Sequence, residues 1–171
     1  EIPFPLDRLG PGDAFFDLDS VWNNRMRRSF LLPHLKAQGV KIIGHIYDVI
    51  PVIFPQYCDA QTTVRFMDYL GAHLQYADLL IANTESTLND IRDIASQIGT
   101  KPIKSTCVPL GADFVKTSDR SAINLPSNEH VYPRAHALRG KKFLLMVGTI
   151  EPRKNHAFVL DAHIESLRDE G

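Results

Sequence analysis

Ala77-Asp-Leu-Leu-Ile-Ala-Asn-Thr-Glu-Ser-Thr-Leu-Asn-Asp-Ile91 changes period in its middle. Residues 78–82 form a short apolar run of the length and character of a buried strand. Asn83-Thr-Glu-Ser86 then leads into a second pattern, with Leu88, Ile91, Ile94 or Ala95, and Ile98 recurring at helical spacing. Ser86 is a good N-cap, with Asn89 and Asp90 in the first turn, and Gly99 stops the helix. A strand running through a cap into an amphipathic helix is half of a βαβ unit, and the same alternation recurs on both sides.

Upstream, residues 62–76 read as an amphipathic helix with Val64, Met67, Leu70 or Gly71, and Leu74 on one face. Before it, the apolar run 40–46 reads as a strand that delivers His45, Tyr47 and Asp48 into a Pro-rich loop, 49–55. Earlier still, a strand at 14–19 follows the turn signal Gly10-Pro-Gly-Asp13. A helix is predicted over 23–38, stopped by Gly39 and kinked or split by Pro33. Its Arg25, Arg27 and Arg28 cluster near Trp22, which by charge pattern alone reads as a solvated face.

Downstream, a strand over 103–108 stops at Pro109, and residues 116–140 lose periodicity and read as a linker. Phe143-Leu-Leu-Met-Val-Gly-Thr-Ile-Glu-Pro-Arg-Lys-Asn155 follows. Its apolar run 143–147 is predicted to be a strand buried on both faces. Gly148 ends the run, Pro152 sets a turn, and Phe158, Leu160, Ile164 and Leu167 mark a helix. Arg153 and Lys154 thus stand beside a helix N-terminus, where backbone N–H groups and the dipole favour an anion. Repeated strand–helix alternation with apolar strands predicts an α/β fold with a parallel sheet, which binds ligands outside the carboxyl ends of its strands. His45 and Asp48, Thr84 and Ser86, Gly111 and Asp113, and Arg153 and Lys154 all fall at such ends.

Composition narrows the function. The 171 residues are 44% apolar and 23% charged with net charge -1, so nothing draws the chain to nucleic acid. No apolar run approaches the roughly 18 residues of a membrane span. The first residues, Glu1-Ile-Pro-Phe-Pro5, lack a signal peptide's basic start and apolar core. Cys58 and Cys107 are isolated thiols with no metal-ligand spacing, which points to packing roles in a reduced, cytosolic compartment. No Gly-x-Gly-x-x-Gly follows a strand, which argues against a dehydrogenase.

Four of these stretches resemble the GT-B glycosyltransferases of family 4 (group 1). Val147-Gly-Thr-Ile-Glu-Pro-Arg-Lys-Asn155 resembles the motif that opens their second domain. His45-Ile-Tyr-Asp48 with Pro51 resembles their His-Asp-hydrophobic-hydrophobic-Pro loop, with either His45 or Tyr47 in the family's His position. Residues 77–91 resemble a segment of the first domain, with Thr84 at the usual Ser, and Pro109-Leu-Gly-Ala-Asp113 resembles the turn that closes its last main strand. The resemblance implies an incomplete Rossmann-like N-terminal domain (1–115), a linker (116–140) and the first strand and helix of a second Rossmann-like domain (141–171). The chain reads as a piece of a longer protein, inactive on its own.

The resemblance further implies retaining transfer of a hexose from a nucleotide-diphosphate sugar to a glycan or lipid-linked acceptor, with no metal or other cofactor. Arg153, Lys154, Gly148 and Thr149 would hold the donor diphosphate. Asp48 and His45 would be catalytic, positioning the acceptor hydroxyl, and Tyr47, Thr84, Ser86 and Gly111 would line the acceptor crevice. The spelling is most similar to bacterial mannosyl- or rhamnosyltransferases of polysaccharide synthesis, cytoplasmic and at the inner face of the membrane by peripheral association. Three departures stand out. Thr149 replaces the family's frequent Arg, and neither its Gly-rich loop nor its pair of glutamates eight residues apart is present. The rival readings are a non-catalytic Rossmann-like binding or docking module, and another nucleotide-sugar enzyme of this architecture, such as an epimerase.

Overall fold

A computed structural model of the chain describes residues 6–18, 21–111, 138 and 140–169. It divides into two compact units, Glu1–Leu110 and Gly111–Gly171.

The first unit is an α/β sandwich of one sheet and one helix layer. Its elements run β1 (Ala14–Asp17), α1 (Arg28–Ala37), β2 (Lys41–Ile46), the short α2 (Ile50–Ile53), α3 (Ala60–Tyr76), β3 (Leu79–Ala82), α4 (Glu85–Gln97) and β4 (Ser105–Cys107). The strands lie in the order β1-β2-β3-β4, every pair parallel, which gives the Rossmann-like sheet expected from the sequence. Register puts Asp17 opposite Gly44, Gly44 opposite Leu80, and Ile46 opposite Ala82. These residues share the face that α1, α3 and α4 cover. Ile42 packs with Leu31, Leu32 and Leu35 of α1, while Ile46, Leu80 and Ala82 pack with Phe66, Tyr69 and Leu70 of α3 and Leu88 and Ile91 of α4. Leu32, Leu35, Ile42 and Leu80 are fully buried, and such burial contributes about 1.5–3 kcal/mol per side chain. The opposite face, with Phe16, Ile43, Leu79 and Ile81, is partly exposed among the described residues.

Local chemistry sets the boundaries. Gly39 and Gly99 take positive φ (81° and 71°) just past α1 and α4, the left-handed conformation that ends helices. Residues 21–23 form a separate 3-10 turn, so the helix predicted from residue 23 begins at Arg28. Pro33 neither splits nor ends it. At the sixth helical position it forfeits one hydrogen bond, to the Ser29 carbonyl, and α1 continues to Ala37. The strand predicted over 14–19 stops at Asp17.

Three expectations need correction. On α3 the buried stripe is Phe66, Tyr69, Leu70, His73 and Leu74, while Val64 and Met67 are exposed. The N-cap of α4 is Thr84, not Ser86. Thr84 Oγ1 accepts from the Thr87 N–H (3.1 Å), and Ser86 lies within the first turn. Thr84→Ala is expected to cost about 1 kcal/mol, the usual worth of a Thr cap, in a denaturant titration of the chain.

The third correction is in the second unit. Residues 143–147 form no strand, and Leu145 and Val147 are 76% and 85% exposed. A strand needs a hydrogen-bonding partner, and none flanks this segment among the described residues. The unit contains a 3-10 turn, Pro152–Lys154, then α5 (His156–Asp169), whose Phe158, Leu160, Ile164 and Leu167 are also exposed. Asp113 and most of the expected linker lie outside the described residues.

Candidate functional site

Because the strands are parallel, their carboxyl ends share one edge of the sheet. His45, Tyr47 and Asp48 follow along β2, Asn83, Thr84 and Ser86 follow β3, and Pro109 and Leu110 follow β4. The polar residues of the first unit singled out by the sequence are thus neighbours along that edge. A hydrogen bond ties two of the segments together: Thr87 Oγ1 donates to the Tyr47 carbonyl (3.2 Å).

His45 is 9% exposed, its ring centroid 4.4 Å from that of Tyr47, and its Nδ1 has no partner among the described residues. Burial holds its pKa below the usual histidine value. A neutral imidazole with a free ring nitrogen is the form that accepts a hydrogen bond or proton from a hydroxyl. Its carbonyl accepts from Tyr69 Oη (2.9 Å), and burial pushes the Tyr69 phenol up, keeping it a donor. Asp48 is exposed and partly committed: Oδ1 accepts from the Ile50 N–H (3.0 Å), closing the turn into α2. Tyr47 offers an exposed ring.

The remaining candidates divide. Thr84 is occupied as a cap and also donates to Thr87 Oγ1 (2.9 Å), whereas the Ser86 side chain is exposed and without a hydrogen bond among the described residues. Gly111 follows β4 without a positive φ, and among the described residues a Cβ there would meet nothing within 4 Å. Asn83, which received no role from the sequence, has a buried Oδ1 at the end of β3, without a partner among the described residues. Its position in a loop after a strand was the signal available. Desolvation and the Glu85 charge push the Cys107 thiol up, which makes it a poor nucleophile.

In the second unit, Arg153 and Lys154 occupy the 3-10 turn, and Asn155 takes a left-handed conformation (φ 52°) between the turn and α5. Arg153 Nε pairs with Glu151 Oε2 at 2.6 Å. Partly exposed pairs of this kind contribute about 0–1 kcal/mol, so an incoming anion can displace it at little cost. Lys154 is exposed and forms no ion pair among the described residues. Gly148 and Thr149 lie on exposed, irregular backbone just before. Among the described residues, no three His, Cys, Asp or Glu side chains are grouped to hold a metal ion, and no helix is long and apolar enough to cross a membrane.

No protein-family model matches the chain. No solved structure matches it either. Two curated proteins from Escherichia coli do, each described as serotype-specific mannosyltransferase WbdA. Each is 25% identical over 140 residues, which is 79% of this chain and 17% or 16% of the relative. The chain therefore spans only about a sixth of the length of the curated relatives it matches, and what it carries is a distant, glycosyltransferase-like similarity.

Proposed function

We propose that the chain is the acceptor-side domain, with the start of the donor-side domain, of a retaining, metal-independent glycosyltransferase, which moves a mannose-like hexose from a nucleotide-diphosphate sugar to a glycan or lipid-linked acceptor. The similarity to a mannosyltransferase along 79% of the chain carries this reading. The row of polar residues at the carboxyl edge of a parallel sheet, where such folds take their ligands, supports it.

In this reaction the bond from the anomeric carbon to the diphosphate oxygen breaks, a bond to the acceptor oxygen forms on the same face, and the acceptor hydroxyl's proton passes to the departing diphosphate. Negative charge grows on the leaving diphosphate, and Lys154 with Arg153 supplies the charge that stabilises it. His45 and Asp48 orient the acceptor hydroxyl, and the neutral His45 ring accepts its hydrogen bond. The docking-module alternative draws on one observation, the exposure of the apolar segment 143–147.

Calorimetric titration of the full-length polypeptide with GDP, UDP and ADP tests the donor half. One of the three is expected to bind selectively, and Lys154→Ala is expected to weaken it about tenfold, or 1.4 kcal/mol. A well-folded protein that binds none of the three would favour the docking module instead.

A further inference from the structure

One concavity of the first unit stands apart from His45. It lies past the carboxyl end of β1, a cavity of ≈ 270 Å3 whose wall includes Trp22, Arg25, Arg27, Arg65, Asp68 and Tyr69. Ligand sites commonly occupy about 300–1,000 Å3, so this one has room for a single sugar unit and its substituent. Arg28 also reaches the wall, but its Nε and Nη2 are bound to Asp17 and its Nη1 donates to the Met26 carbonyl (2.9 Å). Asp68 is bound to Ser29, Oδ1 accepting from Oγ at 2.6 Å. Arg25, Arg27 and Arg65 form no ion pair among the described residues, which leaves the cavity with a surplus of positive charge.

The apolar side of the cavity is built as well. Trp22 is held edge-on against Phe66 (centroids 5.3 Å apart, planes at 74°) and 5.9 Å from Tyr69. Its indole is half-buried and offers a flat surface to the C–H face of a pyranose. A second, smaller cleft, lined by Trp22, Phe66 and Tyr69 together with residues 45–48, adjoins these same aromatic side chains. The cavity and the candidate acceptor residues therefore share a wall.

We propose that this cavity is a subsite for an anionic sugar, a pyranose bearing a phosphate or a carboxylate, next to the unit whose hydroxyl is glycosylated. Trp22 takes the ring, and Arg25, Arg27 and Arg65 take the oxyanion, through the paired N–H groups that suit guanidinium to such groups. Its role as an acceptor subsite rests on the glycosyltransferase reading; its chemistry as an anion-and-ring site does not.

Trp22 is the only tryptophan of the 171 residues, so its fluorescence reports directly on the cavity. Titration with mannose 6-phosphate and with methyl glucuronide is expected to give a saturable change. Methyl mannoside should bind at least about tenfold more weakly, as should inorganic phosphate, which lacks the ring. Arg25→Gln combined with Arg27→Gln should weaken the two anionic sugars by a similar factor with an unchanged melting temperature, since both side chains are exposed. Arg65→Gln gives an independent variant on α3.

Equal binding of the neutral and charged sugars would overturn the proposal. So would a response only to vesicles of equal parts phosphatidylglycerol and phosphatidylcholine, which would make this loop a membrane contact. Nucleotide titration separates the two readings. Lost sugar binding with nucleotide binding intact sinks the subsite alone, whereas anionic-sugar binding in a protein that binds no nucleotide keeps the cavity and removes the transferase.

Discussion

Asp17→Ala is expected to destabilise the first unit by about 3–5 kcal/mol in urea denaturation at neutral pH, because it leaves a buried cation unpaired. Asp17 and Arg28 are 2% and 5% exposed and meet in a two-pronged pair, Nε to Oδ2 at 2.5 Å and Nη2 to Oδ1 at 2.8 Å. His73 Nε2 stands 3.2 Å from Oδ2, within ion-pair distance but off the line of a hydrogen bond. Burial alone would raise the Asp17 carboxyl. His73 and Arg28 outweigh it and hold the carboxyl below the usual range. A carboxyl depressed in the fold contributes stability above its unfolded value, about 3.9, and loses it as pH falls through the folded one. The gap between wild type and Asp17→Ala should therefore close in acid.

Arg28→Met should cost less than Asp17→Ala, since a stranded carboxylate can take up a proton and a guanidinium cannot. The double variant should recover much of either loss. Single variants that unfold no more easily than wild type would show that the pair is not isolated from water.

This pair also marks where sequence reading stopped. β2, β3 and α4 were legible because their signals are local: apolar runs of strand length, then cap-type residues and a helical stripe. The cap itself was misplaced by two positions, since Thr84 and Ser86 are both cap types and only the helix start decides between them. On α3, Phe66, Met67, Tyr69 and Leu70 give overlapping stripes. The true one includes His73 and Tyr69, whose Nδ1 and Oη meet the Tyr69 and His45 carbonyls. Arg28 read as part of a basic cluster because its partner, eleven residues earlier, ends a strand. The segment 143–147 has a strand's composition, but pairing is a property of neighbours. For the site, residues beside strand ends could be found one loop at a time. The arginine cavity could not, because it joins the loop after β1 to Arg65 on a helix that follows β2, and only the fold brings them together.

Gly44→Ala should destabilise the same unit by about 3 kcal/mol, the upper part of the range for overpacked cores, although it adds a single methyl group. Gly44 lies in β2 on the face beneath α3, and a Cβ there would overlap His73 Cδ2 and stand 3.0 Å from Leu80 Cδ2. His73 has little room to yield. It is fully buried, its Nδ1 is 2.8 Å from the Tyr69 carbonyl, and its Nε2 lies beside Asp17. Moving the ring would disturb the buried ion pair as well, so the cost should exceed that of the contact alone. His73→Ala opens that space, and in its background Gly44→Ala should cost far less, a coupling of about 1–3 kcal/mol in a double-mutant cycle. Additive losses would mean that the strand shifts to accommodate the methyl group. A strongly negative coupling would mean that glycine at this position admits the His73 ring, which in turn lies against Asp17.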